Sequence, residues 1–374
     1  MAEGLSRRRV GTPRECGDDD EGTGSRTLTP SGSSVALAAA NGGDSGTASK
    51  TDRAPMLTLM EETLLLGLKD QEGYLSFWND SLSYVLRGCM VMELAFRRRI
   101  RISKDAFTGM TNLADRAIEV VSIKPTGEVL LDEALRMIKA SETRRSVASW
   151  MDLLSGETWN ISKAGYQLKQ VRERLAKGLV DKGVLRTEKR NFLFFDMATH
   201  PVQDPRAKDE IIVRVMDTLN LPRNAALPTR ASGASGGTPP SLSTSVSATA
   251  FSRYNVGQGI GGQAGRLCLM PVSGSRFYRG EETSRFALLR RVCLVAAACA
   301  GSVLENPLVH MDMETRDRAV ARAESLMDVY GHWPFKRDSP LHASDADGSE
   351  AGDLMVHEVI AAVVCVLRKM DRII

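Results

Sequence analysis

No stretch of this chain is apolar for the roughly 18 residues that a membrane-crossing helix needs. Its apolar runs, Val292–Leu304 and Val359–Leu367, stop short of that length, so the sequence reads as a soluble protein whose membrane contact is peripheral. An excess of one charge is also lacking. With 49 basic and 46 acidic residues the net charge is +3, and attraction to a polyanion has to come from local clustering. The six cysteines form no CxxC pair, and several sit in apolar helical surroundings such as RGCMVM and LVAAACAG, which reads as reduced, buried thiols in a reducing compartment. The five histidines are scattered, without HExxH or paired ligand spacing, and there is no P-loop and no GxSxG elbow. Gly257, Gly259 and Gly262 match GxGxxG, but a Ser/Thr/Ala tract precedes them and no helical pattern follows, so the strand, turn and helix that seat a pyrophosphate are missing. The expectation is a protein that is not an enzyme and carries no cofactor or metal.

What is present is helical patterning between polar segments. Residues 1–54 are dominated by Gly, Ser, Thr, Ala and charge, which cannot offset the entropy of ordering, and they read as a disordered arm whose arginines precede no apolar signal core. Order begins at LTLMEETLLLGLKD, where Thr58 and Glu61 form a capping-box pattern. A second helix starts after Asp80 with the stripe Leu82, Val85, Leu86, Cys89 and Phe96. Short alternating segments near 101 and 120 read as strands, LLDEALRMIKA as a helix, and the stretch from about 166 to 182 as a helix closed by Gly183. VLRTEKRNFLFFDMATHPV reads as a hairpin with an unusually apolar arm. Segments at about 222–284 and 337–353 read as disordered inserts, the first centred on PTRASGASGGTPPSLSTSVSATA. The expected fold is mainly α: one helical-bundle domain over 55–374 with small β-hairpins, plus the disordered N-terminal arm and inserted loops.

One basic residue stands out. At 100° per residue, Arg172 projects within the Leu168/Leu175 stripe of its predicted helix, with Lys169 at the stripe's edge. Such an arginine snorkels out to solvent, pairs with a carboxylate, for which the stripe residue Glu93 is a candidate, or faces an anion belonging to a ligand. Arg87 points off its own stripe and reads as solvated; Trp78 alone reads as core.

The strings LTLMEETLLLGLKDQEGYLSFWNDSLSYVLRGCMVMELA, GEVLLDEAL, LLSGETWN, YQLKQVRERLAKGLVDKGVLRTEKRNFLFFDMATHP and SVLENP resemble the Golgi phosphoprotein 3 family. The resemblance is dense from Leu57 to Val202, weaker around 103–118, and looser from 286 onward. It implies a peripheral adaptor on the cytoplasmic face of Golgi membranes, with a cytosolic pool, that binds phosphatidylinositol 4-phosphate. By the same resemblance it retains Golgi glycosyltransferases, recognised by their cytosolic tails, through retrograde transport with coatomer. It further implies that the headgroup is held by Trp78, Arg87, Lys169 and Arg172, three cations from two helices and an interfacial ring. Lys stands at 169 where some members have Arg, which keeps the charge but loses the planar fork.

The family's hairpin serves membrane contact and self-association, and its counterpart is Asn191–Thr199. Phe192, Leu193, Phe194 and Phe195 run without alternation, so both faces need covering, by the domain, by lipid or by another subunit. Arg7, Arg8 and Arg9 resemble in type and position the arginine cluster that contacts coatomer; a nonspecific basic patch reads equally well. A competing reading takes the helix and KGVLRTEKRNFLFF as the recognition helix and wing of a nucleic-acid binder, against which the modest net charge stands.

Overall fold

The computed structural model describes residues 57–75, 80–104, 109–156, 161–192, 195–221, 286–336, 339, 341 and 351–370, with side chains undescribed at 161–163, 190–192, 195–197 and 351. The arm at 1–54, the insert at 222–284 and the GxGxxG match therefore lie outside the described residues.

Local sequence explains how the first helices begin. Helix α1 (Leu59–Gly67) opens on the expected capping box: Thr58 Oγ1 accepts from the Glu61 N–H, and Glu61 Oε2 accepts from the Thr58 N–H at 2.8 Å. It is buried along its whole length. Helix α2 (Asp80–Phe96) differs from its predicted single stripe, because it is buried all round from Val85 to Ala95. Its neighbours explain why: α1, α3 (Val129–Ala140), α4 (Val147–Ser155), α7 (Ala287–Ala300) and α10 (Ala351–Met370) all pack against it. A helix walled in on every side buries its polar residues too, so each of them needs a partner.

The two predicted short strands, β1 (Ile100–Ile102) and β2 (Ile118–Val120), pair antiparallel with each other. Helix α5 (Val171–Asp181) leads into a second antiparallel pair, β3 (Glu188–Phe192) and β4 (Phe195–Thr199). Then come α6 (Pro205–Thr218), α7, a single turn α8 (Glu305–Leu308), α9 (Met313–Tyr330) and α10. All described residues fall in one compact unit, Thr51–Ile374, and the architecture is mainly helical as expected. At the second insert, α10 already begins at Ala351 and Leu341 is buried, while 337–338, 340 and 342–350 lie outside the described residues.

Glu93 is buried, as its place in a stripe implies, but the cation it meets is not Arg172. Arg290 of α7 lies 2.7 Å from it, Arg97 lies 3.4 Å away, and the Leu59 N–H donates to it at 2.8 Å. Burial alone would raise the Glu93 pKa, yet the two arginines more than offset this and hold it below the usual carboxylate value. Beside it, Glu62 of α1 pairs with Arg214 of α6 at 2.6 Å, both almost fully buried. Four helices thus share one buried ionic layer. Cys89, on the same helix as Glu93, is a buried free thiol whose pKa burial pushes up to about 12, which keeps it protonated.

Candidate functional site

The site is organised by α2. Tyr84 donates from its hydroxyl to Asp152 at 2.8 Å, which ties α2 to the last turn of α4. One turn further, Arg87 is 5% exposed, which corrects the expectation of a solvated side chain. Its guanidinium donates to the Leu154 carbonyl at 3.2 Å through Nε, to both oxygens of Ser83 at 2.8 Å through Nη1, and to the Leu168 carbonyl at 2.8 Å through Nη2. The Leu154 carbonyl also accepts from the Leu168 N–H at 3.1 Å. Arg87 is therefore a peg that holds the crossing of the 167–170 segment over the end of α4.

That crossing requires a close approach. Helix α4 ends at Gly156 with φ +87, a left-handed conformation that favours glycine, and the Gln167 side chain lies over it, 2.2 Å from where a Cβ would stand.

Beyond the crossing the chain turns sharply. Gln170 adopts φ +52 and makes no side-chain capping bond, and α5 starts at Val171. This corrects the predicted helix start at about 166: Leu168 and Lys169 lie before the helix, and Lys169 is exposed. The buried face of α5 comprises Val171, Leu175, Ala176 and Leu179. Arg172 falls inside that arc at 100° per residue and is half-buried, in line with its predicted direction. Arg174 is drawn away by an ion pair to Glu133, and Lys182 at the far end of the helix by Glu61 and Glu128.

The structure thus bonds Arg87 to Leu168, the residue before Lys169 and four before Arg172 in the first turn of α5. The Glu173 carboxylate of the same turn and His200, just past β4, act on each other electrostatically; burial lowers the His200 pKa and Glu173 partly opposes it. Trp78, Leu193, Phe194 and Arg7, Arg8 and Arg9 lie outside the described residues. The hairpin register pairs Phe192 directly with Phe195, so these two stand on opposite strands instead of on one arm.

Sequence reasoning missed Ser83, Leu154 and Leu168 as partners of Arg87. Ser83, four residues before Arg87, is the one local signal; the carbonyls come from 67 and 81 residues away. Among the described residues no group of three or more His, Cys, Asp or Glu could hold a metal, and no helix is long and apolar enough to cross a membrane.

A family profile described as Golgi phosphoprotein 3 (GPP34) matches residues 59–344. The chain is 41% identical over 393 residues, covering 100% of each chain, to vacuolar protein sorting-associated protein 74 of Schizosaccharomyces pombe. It is 42% identical over 329 residues, covering 85% of each chain, to the protein of the same name from Eremothecium gossypii.

Proposed function

The chain belongs to the Golgi phosphoprotein 3 family, and from that membership we propose that it is a peripheral Golgi adaptor that reads phosphatidylinositol 4-phosphate. In general terms the role is that of a Golgi adaptor. The finer reading is that Lys169 and Arg172 receive the headgroup phosphates and Trp78 lies at headgroup depth. The site binds its ligand and does not transform it.

The observation that supports this reading is the bond from Arg87 Nη2 to the carbonyl of Leu168, the residue before Lys169 and four before Arg172. Arg87 acts through that segment, by holding the Leu168 carbonyl. The N-terminus of α5 faces the same place, and its macrodipole favours an anion there. Glu173 works against this, so the site needs its cations.

The apolar residues Phe192, Leu193, Phe194 and Phe195 supply a second anchor, by lipid contact or self-association, because one headgroup contact at a charged interface is weak and screened by salt. Coatomer is the proposed partner of Arg7, Arg8 and Arg9, and cytosolic tails of Golgi glycosyltransferases are the proposed cargo.

Titration with soluble inositol 1,4-bisphosphate tests the reading. Wild-type protein binds it, and Arg172→Ala loses binding while keeping its circular dichroism and melting temperature. Binding unchanged in Arg172→Ala, or salt-dependent association with generic DNA in place of phosphoinositides, overturns the proposal. Deleting residues 1–54 leaves headgroup binding intact and weakens coatomer pull-down; equal pull-down moves that role off the arm.

A further inference from the structure

We propose that the turn Leu68–Leu75 and the segment His200–Val202 form a clasp that fixes the β3–β4 hairpin relative to α2, with Lys208 as its positioning residue. The inference rests on the lipid-reading function proposed above, since it concerns how the hairpin and the cation cluster come to act on one surface.

The clasp is built almost entirely of backbone. Leu68 and Leu75 form an isolated antiparallel bridge that closes the turn, and within it the Lys69 N–H donates to the Tyr74 carbonyl and the Gly73 N–H to the Lys69 carbonyl, both at 2.9 Å. Two bonds then cross to the other strand of chain: the His200 N–H donates to the Gly73 carbonyl at 3.0 Å, and the Val202 N–H to the Asp70 carbonyl at 2.9 Å. Gly73 has φ +70, and a Cβ on it would lie 2.3 Å from the Pro201 nitrogen. No other residue permits that approach without moving backbone.

Beneath the turn lies one buried charge. Lys208, on α6 and 9% exposed, donates from Nζ to the Leu68 carbonyl and to Asp70 Oδ1 at 2.7 Å. A buried ammonium needs such partners, and here both belong to the turn. From α6 it therefore holds the turn in place while the turn holds the chain that follows β4.

Connectivity gives the clasp its consequence. Thr199 ends β4 immediately before His200, and the Leu68–Leu75 turn runs on directly from α1, which packs against α2, the helix that carries Arg87. The hairpin is also tied to the α5 side, through the Leu185–Val202 bridge and the Arg186 N–H donating to the Pro201 carbonyl at 3.0 Å. His200–Val202 is thus bonded on one side to the segment after α5 and on the other to the turn that follows α1, and through the packing of α1 to α2. Two weak anchors reinforce each other only when their geometry lets both engage at once.

The test uses the full chain with spin labels introduced as unnatural amino acids at the exposed positions Lys139 and Ala198, so that native thiols are untouched. Wild-type protein gives a narrow interlabel distance distribution by double electron–electron resonance. Lys208→Met and Gly73→Ala broaden it and weaken binding to liposomes containing phosphatidylinositol 4-phosphate about tenfold, through lost two-anchor engagement. Soluble inositol 1,4-bisphosphate binds both variants as it binds wild type, and Lys208→Arg restores the narrow distribution and the liposome affinity. A distribution that stays narrow in both variants overturns the clasp, as does a parallel fall of liposome and soluble-headgroup affinity. Wild-type protein that binds neither ligand overturns the lipid reading instead, and the label distances then still decide the clasp.

Discussion

Arg87 Nη2 lies 2.8 Å from the carbonyl oxygen of Leu168, 81 residues away in sequence, and this bond carries the crossing on which Lys169 and Arg172 depend. Arg87→Lys keeps the charge but cannot span Leu154, Ser83 and Leu168 together, because an ammonium lacks the guanidinium's fork. Leaving a buried carbonyl unpaired costs about 2 kcal/mol. Urea unfolding shows that loss, and headgroup affinity falls although net charge is unchanged. Full retention of both in Arg87→Lys contradicts the peg.

The buried ionic layer gives a second prediction, on stability alone. Arg290 stands 2.7 Å from Glu93 and 3.9 Å from Glu62, and removing it leaves buried carboxylates short of a cation. Arg290→Met loses roughly 3 to 5 kcal/mol by urea unfolding. The molecules that remain folded bind soluble headgroup with wild-type affinity, since the layer lies outside the proposed site.

His357 on α10 predicts a pH dependence. Its ring stacks on Trp333 and meets Phe286 and Phe335, its Nδ1–H donates to the Asp353 carbonyl at 2.7 Å, and burial lowers its pKa despite the opposing pull of Asp353. The folded state therefore holds it neutral, while the unfolded chain takes up a proton near pH 6.5. Its neutral form contributes fully above that pH, and stability is lost as pH falls through it. Urea midpoints at pH 7.5 and 5.5 show a drop that is smaller in His357→Phe; an equal drop in both proteins assigns the effect elsewhere.

The hairpin predicts a salt-insensitive contribution. Burying a phenylalanine contributes about 2 kcal/mol whatever the ionic strength. Replacing Phe194 and Phe195 with serine lowers liposome affinity at high salt as well as low, while soluble headgroup binding persists. If both affinities fall together with the melting temperature, these residues are ordinary core.

Most of the scaffold was legible locally. The Thr58–Glu61 box, the α2 start at Asp80, the strand pair near 101 and 120 and the helix closed by Gly183 all follow from spacing and capping chemistry within a few residues. The start of α5 was not, because Leu168 extends the apolar stripe of α5 that a positive φ at Gln170 interrupts. Nor was the burial of Arg87, which depends on α4 covering a face that the pattern of α2 assigns to solvent. Glu93 was recognisable as a buried acid needing a cation, but periodicity within one helix cannot name a partner on α7. In the site, the direction of Arg172 could be read from sequence, while the peg that supports its turn could not.

The central claim is that this surface reads the 4-phosphate of a membrane lipid, and liposome flotation across the phosphoinositides tests it most directly. The account predicts that wild-type protein floats with vesicles containing phosphatidylinositol 4-phosphate and not with phosphatidylcholine vesicles, and that Arg172→Ala stays in the dense fraction with its fold intact. A well-folded Arg87→Ala/Arg172→Ala protein that still floats with those vesicles would contradict it.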